Sequence, residues 1–235
     1  MSEQSEPKRQ FVNFLGYKLD PAWRHLSEEQ KKAGREELAA VIARWQIQDR
    51  MMILPYSTVG IRADVDIILW RICYALEDLE QMVVEINRTD MGKYLEARYS
   101  FLSMTRRSTY LIGHEHEGQT DSRGTLVPGR FKYIFIYPFV KTREWYLLNQ
   151  PTRQGMMNEH IVVGHKYPRV KLNTTYSFGL DDQDFVVAFE SDHPEDFVDL
   201  VMELRETDAS KYTVRDTPIF TGILKKVPEL LDNLG

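Results

Sequence analysis

The chain has 235 residues, 43% of them hydrophobic and 28% charged, the balance of a globular protein able to bury a sizeable core. A net charge of -5, with basic residues scattered rather than grouped into a stripe, leaves no electrostatic footprint for nucleic acid. Cys73 stands alone, which excludes a disulfide framework and a cysteine-rich metal site and fits a reducing cytoplasm.

Residues 1–8 read as a disordered polar tail without the apolar core of a signal peptide, and no later run approaches the roughly 20 apolar residues of a membrane span. A cytoplasmic location is therefore expected. Arg9 to Lys18 reads as a first strand carrying Phe11, Phe14 and Tyr17. Ser27 caps a helix running to about Trp45, with Gln30 completing a capping-box pattern and Leu38, Val41, Ile42 and Trp45 on one side. Met51 to Ile61 and Asp66 to Tyr74 read as strands joined by a polar turn. Asp78 to Leu95 follows as an amphipathic helix with Leu79, Met82, Val83 and Ile86 inward, and Tyr99 to Leu111 as a further strand. Glu115 to Gly129 is polar, with Gly118, Gly124 and Pro128, and reads as a linker.

Tyr133 to Tyr137 is an apolar and aromatic strand, which Pro138 is expected to end by removing the next ladder donor. Pro151 can open a helix at its first turn, after which Met156, Met157, His160, Val163, Gly164 and Tyr167 recur at spacings of three and four on one face. A single histidine on that face, beside a strand mouth with Tyr137 and Lys141, suggests a haem site. On the residues alone, a satisfied core histidine is the commoner outcome, and Tyr137 and Trp145 could equally be core aromatics.

The second half echoes the first. Gly60-Ile61 followed by Asp64, Asp66, Ile67 and Ile68 returns as Gly179-Leu180 followed by Asp182, Asp184, Phe185 and Val186; Lys93-Tyr94 returns as Lys211-Tyr212, at an offset near 118 or 119. Such self-similarity points to a duplicated unit whose order of strand, helix, strand, strand, helix, strand is that of a ferredoxin-like module. The expected fold is α+β, with two ferredoxin-like modules of the dimeric α/β-barrel type in one chain, over 9–114 and 130–235 with 115–129 between. Asp181, Asp182 and Asp184 are read as turn chemistry rather than a catalytic or calcium-binding cluster.

Gly60-Ile-Arg-Ala-Asp-Val-Asp, the run from Tyr137 through Tyr146 to Leu148, Met156-Met-Asn-Glu-His160, Tyr167-Pro-Arg-Val, Ser177-Phe-Gly-Leu-Asp-Asp and Thr217-Pro-Ile-Phe-Thr-Gly resemble, in order and spacing, the chlorite dismutase-like superfamily. Within it the chain is most similar to the coproheme decarboxylases of the actinobacterial branch. The resemblance implies two ferredoxin-like modules per subunit, haem bound in the C-terminal one, and a homopentameric ring. It implies conversion of iron coproporphyrin III, at once cofactor and substrate, into haem b, with hydrogen peroxide oxidising two propionates to vinyl groups. A ferrochelatase would supply the substrate through a transient contact.

In that resemblance His160 is the axial iron ligand and Tyr137 the tyrosine that loses an electron and a proton beside a propionate. Lys141 holds a second propionate, Trp145 lies near the macrocycle, and His114 is the distal base for peroxide, with His116 as fallback. Leu172, or Asn173 if the gap is moved, stands where other branches carry a distal glutamine or arginine, so the arginine linked to chlorite decomposition is missing. Lys211 replaces an arginine near a propionate, and Ala209 replaces a glutamate that hydrogen-bonds the proximal histidine in chlorite dismutases. Another haem enzyme of the same scaffold, a chlorite dismutase or peroxidase-like protein, and a non-catalytic haem carrier or sensor are the alternative readings.

Overall fold

In the computed structural model, which describes residues 8–47, 50–110 and 124–235, the chain divides into two units: 1–104 with 221–235, and 105–220. In the first, β1 (Phe11–Leu19) lies between β4 (Leu95–Met104) and β3 (Ile67–Cys73), and β2 (Met51–Ser57) pairs with the far side of β3, all antiparallel. Helices α1 (Glu28–Ile47) and α2 (Leu76–Arg88) complete a ferredoxin-like unit with strand order 4-1-3-2. The second unit repeats this order. There β5 (Tyr133–Lys141) lies between β8 (Thr213–Arg215) and β7 (Phe185–Ser191), and β6 (Lys171–Tyr176) pairs with β7. Its helices are α3 (Arg143–Leu147), α4 (Gln150–His165) and α5 (Pro194–Glu206). Among the described residues no helix is long and apolar enough to cross a membrane.

The local chemistry behaves as its residue types require. Ser27 Oγ accepts from the Gln30 amide at 3.3 Å while Gln30 Oε1 accepts from the Ser27 amide at 3.0 Å, so the capping box forms reciprocally. Leu38, Val41, Ile42 and Trp45 of α1 and Leu79, Met82 and Ile86 of α2 are buried against the strands. Cys73 is buried, and its thiol donates to the Ala75 carbonyl at 3.1 Å.

Several boundaries differ from the expectation: β2 ends at Ser57 rather than Ile61 and α2 begins at Leu76 rather than Asp78, and three more differences have a local cause. Helix α2 stops at Arg88 rather than Leu95, because Thr89 Oγ1 donates to the Ile86 carbonyl and in turn accepts from the Gly92 amide. A Cβ at Gly92 would stand 1.9 Å from that carbonyl oxygen, so the turn admits glycine alone. Strand β4 consequently begins at Leu95, four residues early, and ends at Met104. Strand β5 runs through Pro138 to Lys141, since a proline interrupts a strand only where its missing N–H would serve the ladder.

The last fifteen residues, which the sequence boundaries keep with the second module, pack in the first unit. Of β9 (Phe220–Leu224), Ile223 and Leu224 pair with β2, and α6 (Val227–Asp232) inserts Leu230 and Leu231 into the core beneath α1. Trp23 Nε1 donates to the Gly235 carbonyl at 2.6 Å. Only tertiary contacts place this segment. Leu230 is fully buried, so Leu230→Ala is expected to destabilise the chain by about 2–5 kcal/mol, read from the denaturant midpoint. An unchanged midpoint would show that the returning helix is dispensable.

Candidate functional site

The second unit builds its site on one sheet face. Alternation along β5 directs Phe135, Tyr137 and Phe139 to the same side, where Phe185, Val187 and Phe189 of β7 and Leu172 of β6 join them under Val163 of α4 and Phe197 and Leu200 of α5. Phe135 stacks on Phe197 with centroids 4.0 Å apart, and the Tyr137 ring lies 6.2 Å from Phe189.

Tyr137 is 9% exposed, and its hydroxyl finds no hydrogen-bond partner among the described residues. Burial raises its pKa well above the usual phenol range; the Asp216 carboxylate adds to this, and Arg205 opposes it. The phenol is therefore protonated at any physiological pH. Asp216 and Arg205 form an ion pair of 3.2 Å.

Lys141 ends β5 with its ammonium turned inward. Nζ donates to the Ala209 carbonyl at 2.6 Å and lies 4.6 Å from the Trp145 ring centroid and 5.3 Å from that of Phe139. Among the described residues no carboxylate compensates it, and burial lowers its pKa from 10.5 to about 8. Its position is fixed through the main chain: the Lys141 amide and the Tyr146 hydroxyl both donate to Asp184 Oδ2, each at 2.8 Å. Thr142 caps α3 by accepting from the Trp145 amide, which holds that buried ring beside Lys141 and 5.5 Å from Tyr212.

Asn149 accepts from the Thr152 amide and Pro151 occupies the first turn, so α4 starts where expected. His160 is half-buried on this helix. Burial, with the Lys141 charge second, lowers its pKa from 6.5 to about 4, so the imidazole is neutral and both ring nitrogens are available for ligation and donation in turn. Glu159 turns away to accept the Asp208 amide at 3.0 Å, and a Cβ at Gly164, one turn beyond His160, would meet nothing within 4 Å. Among the described residues no group of three or more His, Cys, Asp or Glu could hold a metal ion. The neutral imidazole, apolar face and nearby ammonium would fit a metal carried by a porphyrin that bears carboxylates.

Tyr137, Lys141, Trp145 and His160 are brought into one unit by β5, α3 and α4. Leu172 shares their sheet face. Asn173 takes the opposite one, donating to the fully buried Glu190 at 3.0 Å, where the Gly129 and Arg130 amides donate as well. Lys211 is exposed and paired with Asp208 at 2.6 Å, while Ala209 of the same short turn is buried and meets Lys141. His114 and His116 lie outside the described residues. The last described residue before them, Tyr110, has its carbonyl held by Gln154 of α4 at 3.0 Å.

The sequence reading passed over Asp184 as a site residue, although the repeat carried the signal. In the first unit Asp66 accepts the Leu19 amide at 2.9 Å and its own amide donates to the Tyr17 carbonyl, as the Asp184 amide does to Phe139. Matching registers set Leu15 opposite Leu69 where Tyr137 faces Val187, and Asn13 opposite Arg71 where Phe135 faces Phe189. The Arg71 guanidinium, buried, is spent on Asn13 and the Leu79 carbonyl. The clamp is duplicated, but the phenol and ammonium are not.

A family profile described as Chlorite dismutase matches residues 7–225. The chain belongs to the chlorite dismutase family. A coproheme decarboxylase of Mycolicibacterium smegmatis is 33% identical over 76% of this chain and 75% of its own length. One of Oceanobacillus iheyensis is 27% identical over 91% and 90%. The fold also matches the chlorite dismutase of Candidatus Nitrospira defluvii in complex with imidazole, with a TM-score of 0.86 over 95% of this chain and 94% of that one at 24% identity. As a chlorite dismutase-family enzyme the chain is a haem-dependent oxidoreductase.

Asp184→Ala would strand two donors, the Lys141 amide and the Tyr146 hydroxyl, and is expected to cost about 1–3 kcal/mol for each one left buried without an acceptor, measured by denaturant unfolding. A loss below about 0.5 kcal/mol would show that water replaces the carboxylate. In the ligand-free chain, pH-dependent reductive methylation should give Lys141 an apparent pKa near 8; one above about 10, as for a surface lysine, would mean that the ammonium is solvated.

Proposed function

We propose that this chain converts iron coproporphyrin III into haem b by hydrogen peroxide-dependent oxidative decarboxylation of two propionates. The observation that carries the reading is Lys141: an ammonium to which the described residues bring no carboxylate, on the same strand as a phenol to which they bring no partner, is a receptor for a carboxylate side chain whose neighbouring carbon is to be oxidised. The names of the two curated relatives support the same substrate. Leu172 on the site's sheet face supplies no cation for an oxyanion such as chlorite.

The bound iron porphyrin supplies the redox chemistry that draws two electrons per propionate into peroxide. Each round balances as one propionate carboxylate, one hydrogen peroxide and one proton giving one vinyl group, one carbon dioxide and two waters. His160 holds the iron through its neutral ring. The described residues bring no carboxylate to its other ring proton, so it donates less electron density to the metal than a carboxylate-bonded imidazole would. Lys141 fixes one propionate by charge-assisted hydrogen bonding, with Trp145 limiting its movement. Tyr137 gives up an electron and a proton together, because burial makes the free phenolate costly, and regains both from the propionate carbon. His114, or His116, takes the proton from peroxide as general base. The reading includes a homopentameric ring, a cytoplasmic location and delivery of substrate by a ferrochelatase.

Titrating the iron coproporphyrin III complex with peroxide and following porphyrin masses tests this. Two successive losses of carbon dioxide plus two hydrogens are expected. Tyr137→Phe should bind the same porphyrin and leave its mass unchanged. Bleaching without stepwise products would instead identify a carrier, oxygen release from chlorite a dismutase, and normal turnover of Tyr137→Phe would remove the phenol from the mechanism.

A further inference from the structure

Helix α4 carries a cation that neither the fold nor the proposed chemistry has used. Arg153 precedes His160 by seven positions, which at 3.6 residues per turn is within about 20° of the same helix face and about 10.5 Å along the axis. Its side chain is half-buried, and its buried Nε has no hydrogen-bond partner among the described residues. Its own amide is occupied by the Asn149 carbonyl at 3.2 Å. Arg35, Arg44, Arg50, Arg62, Arg98, Arg169 and Arg205 each sit within ion-pair distance of a carboxylate, whereas among the described residues Arg153 has none.

A buried guanidinium donor without an acceptor costs stability on the order of 1–3 kcal/mol, so its natural explanation is an acceptor that arrives with a ligand. The planar fork suits a carboxylate in two-point contact and would anchor one more firmly than an ammonium. Its offset from His160 along the helix is comparable with the span from the centre of a porphyrin to its peripheral carboxylates. Met156 and Met157, both half-buried, lie in the turn between them and offer an adaptable apolar floor.

We propose that Arg153 is a carboxylate-binding residue of the porphyrin site, holding from the His160 side one of the side-chain carboxylates that the reaction leaves intact. This rests on the reading of the substrate as a tetracarboxylate porphyrin. With Tyr137 and Lys141 serving the two groups that react, and Lys211 engaged by Asp208 at the surface, an intact carboxylate otherwise has no cation on this helix.

The test compares dissociation constants of metal-free coproporphyrin III and its tetramethyl ester in the same detergent solution, by tryptophan fluorescence quenching. The parent chain should prefer the acid. Arg153→Met should shrink that preference about tenfold or more, the effect of one charge-assisted pair, and Arg153→Lys, with charge but no fork, should fall between the two. A preference in Arg153→Met within twofold of the parent's, or acid and ester weakened together, would overturn the proposal while leaving the function standing. A parent that fails to prefer the acid would overturn both. Should Arg153→Met not fold, Arg153→Lys carries the comparison, with a threefold loss expected and an unchanged preference as the refutation.

Discussion

The site hangs on a single carboxylate oxygen. Asp184 Oδ2 receives the amide that ends β5 and the hydroxyl of Tyr146 from α3, so strand end, following helix and the turn before β7 are pinned at one point. A lysine at a strand end would ordinarily extend its charged tip to water over an apolar stem. Here the main chain at Lys141 is already immobilised, and the side chain turns to the Ala209 carbonyl and the face of Trp145. The cation is thus placed by two bonds, its own amide to Asp184 and its Nζ to the Ala209 carbonyl.

Around that pin stand polar groups to which the described residues give few partners. The Tyr137 phenol, the Lys141 ammonium and the His160 imidazole stand in or beside one aromatic cluster, and each has its proton affinity displaced chiefly by loss of water. Such groups are costly to bury, and the packed rings of Phe135, Phe189 and Phe197 provide the offsetting apolar contact. The low dielectric that makes them costly also strengthens whatever charge interaction they make once a ligand is present.

Much of this was readable from spacing. The inward faces of α1 and α2, the capping box at Ser27, the start of α4 and the internal repeat follow from periodicity and cap chemistry, which act within a few residues. What escaped the sequence depends on contacts between distant residues. Whether Leu172 or Asn173 faces the site turned on the β6 to β7 register, and the return of α6 to the first unit is invisible to any local pattern. Lys211 and Ala209, two positions apart, looked equally close to the site, yet one is surface and the other buried because the short turn exposes alternate sides. Asp184 was visible as an echo of Asp66, but only the folded chain shows that its oxygen serves a catalytic candidate.

The duplicated clamp has an evolutionary corollary. Both units keep the Asp-to-strand tie, while the sheet face above it differs: leucines and a buried Asn13–Arg71 pair in one copy, a phenol and an ammonium in the other. Duplication thereby separated robustness from chemistry. The unit without those groups is free to pack more tightly on that face, whereas the unit that carries them holds isolated charges there, and mutational tolerance across the chain should be unequal for that reason alone.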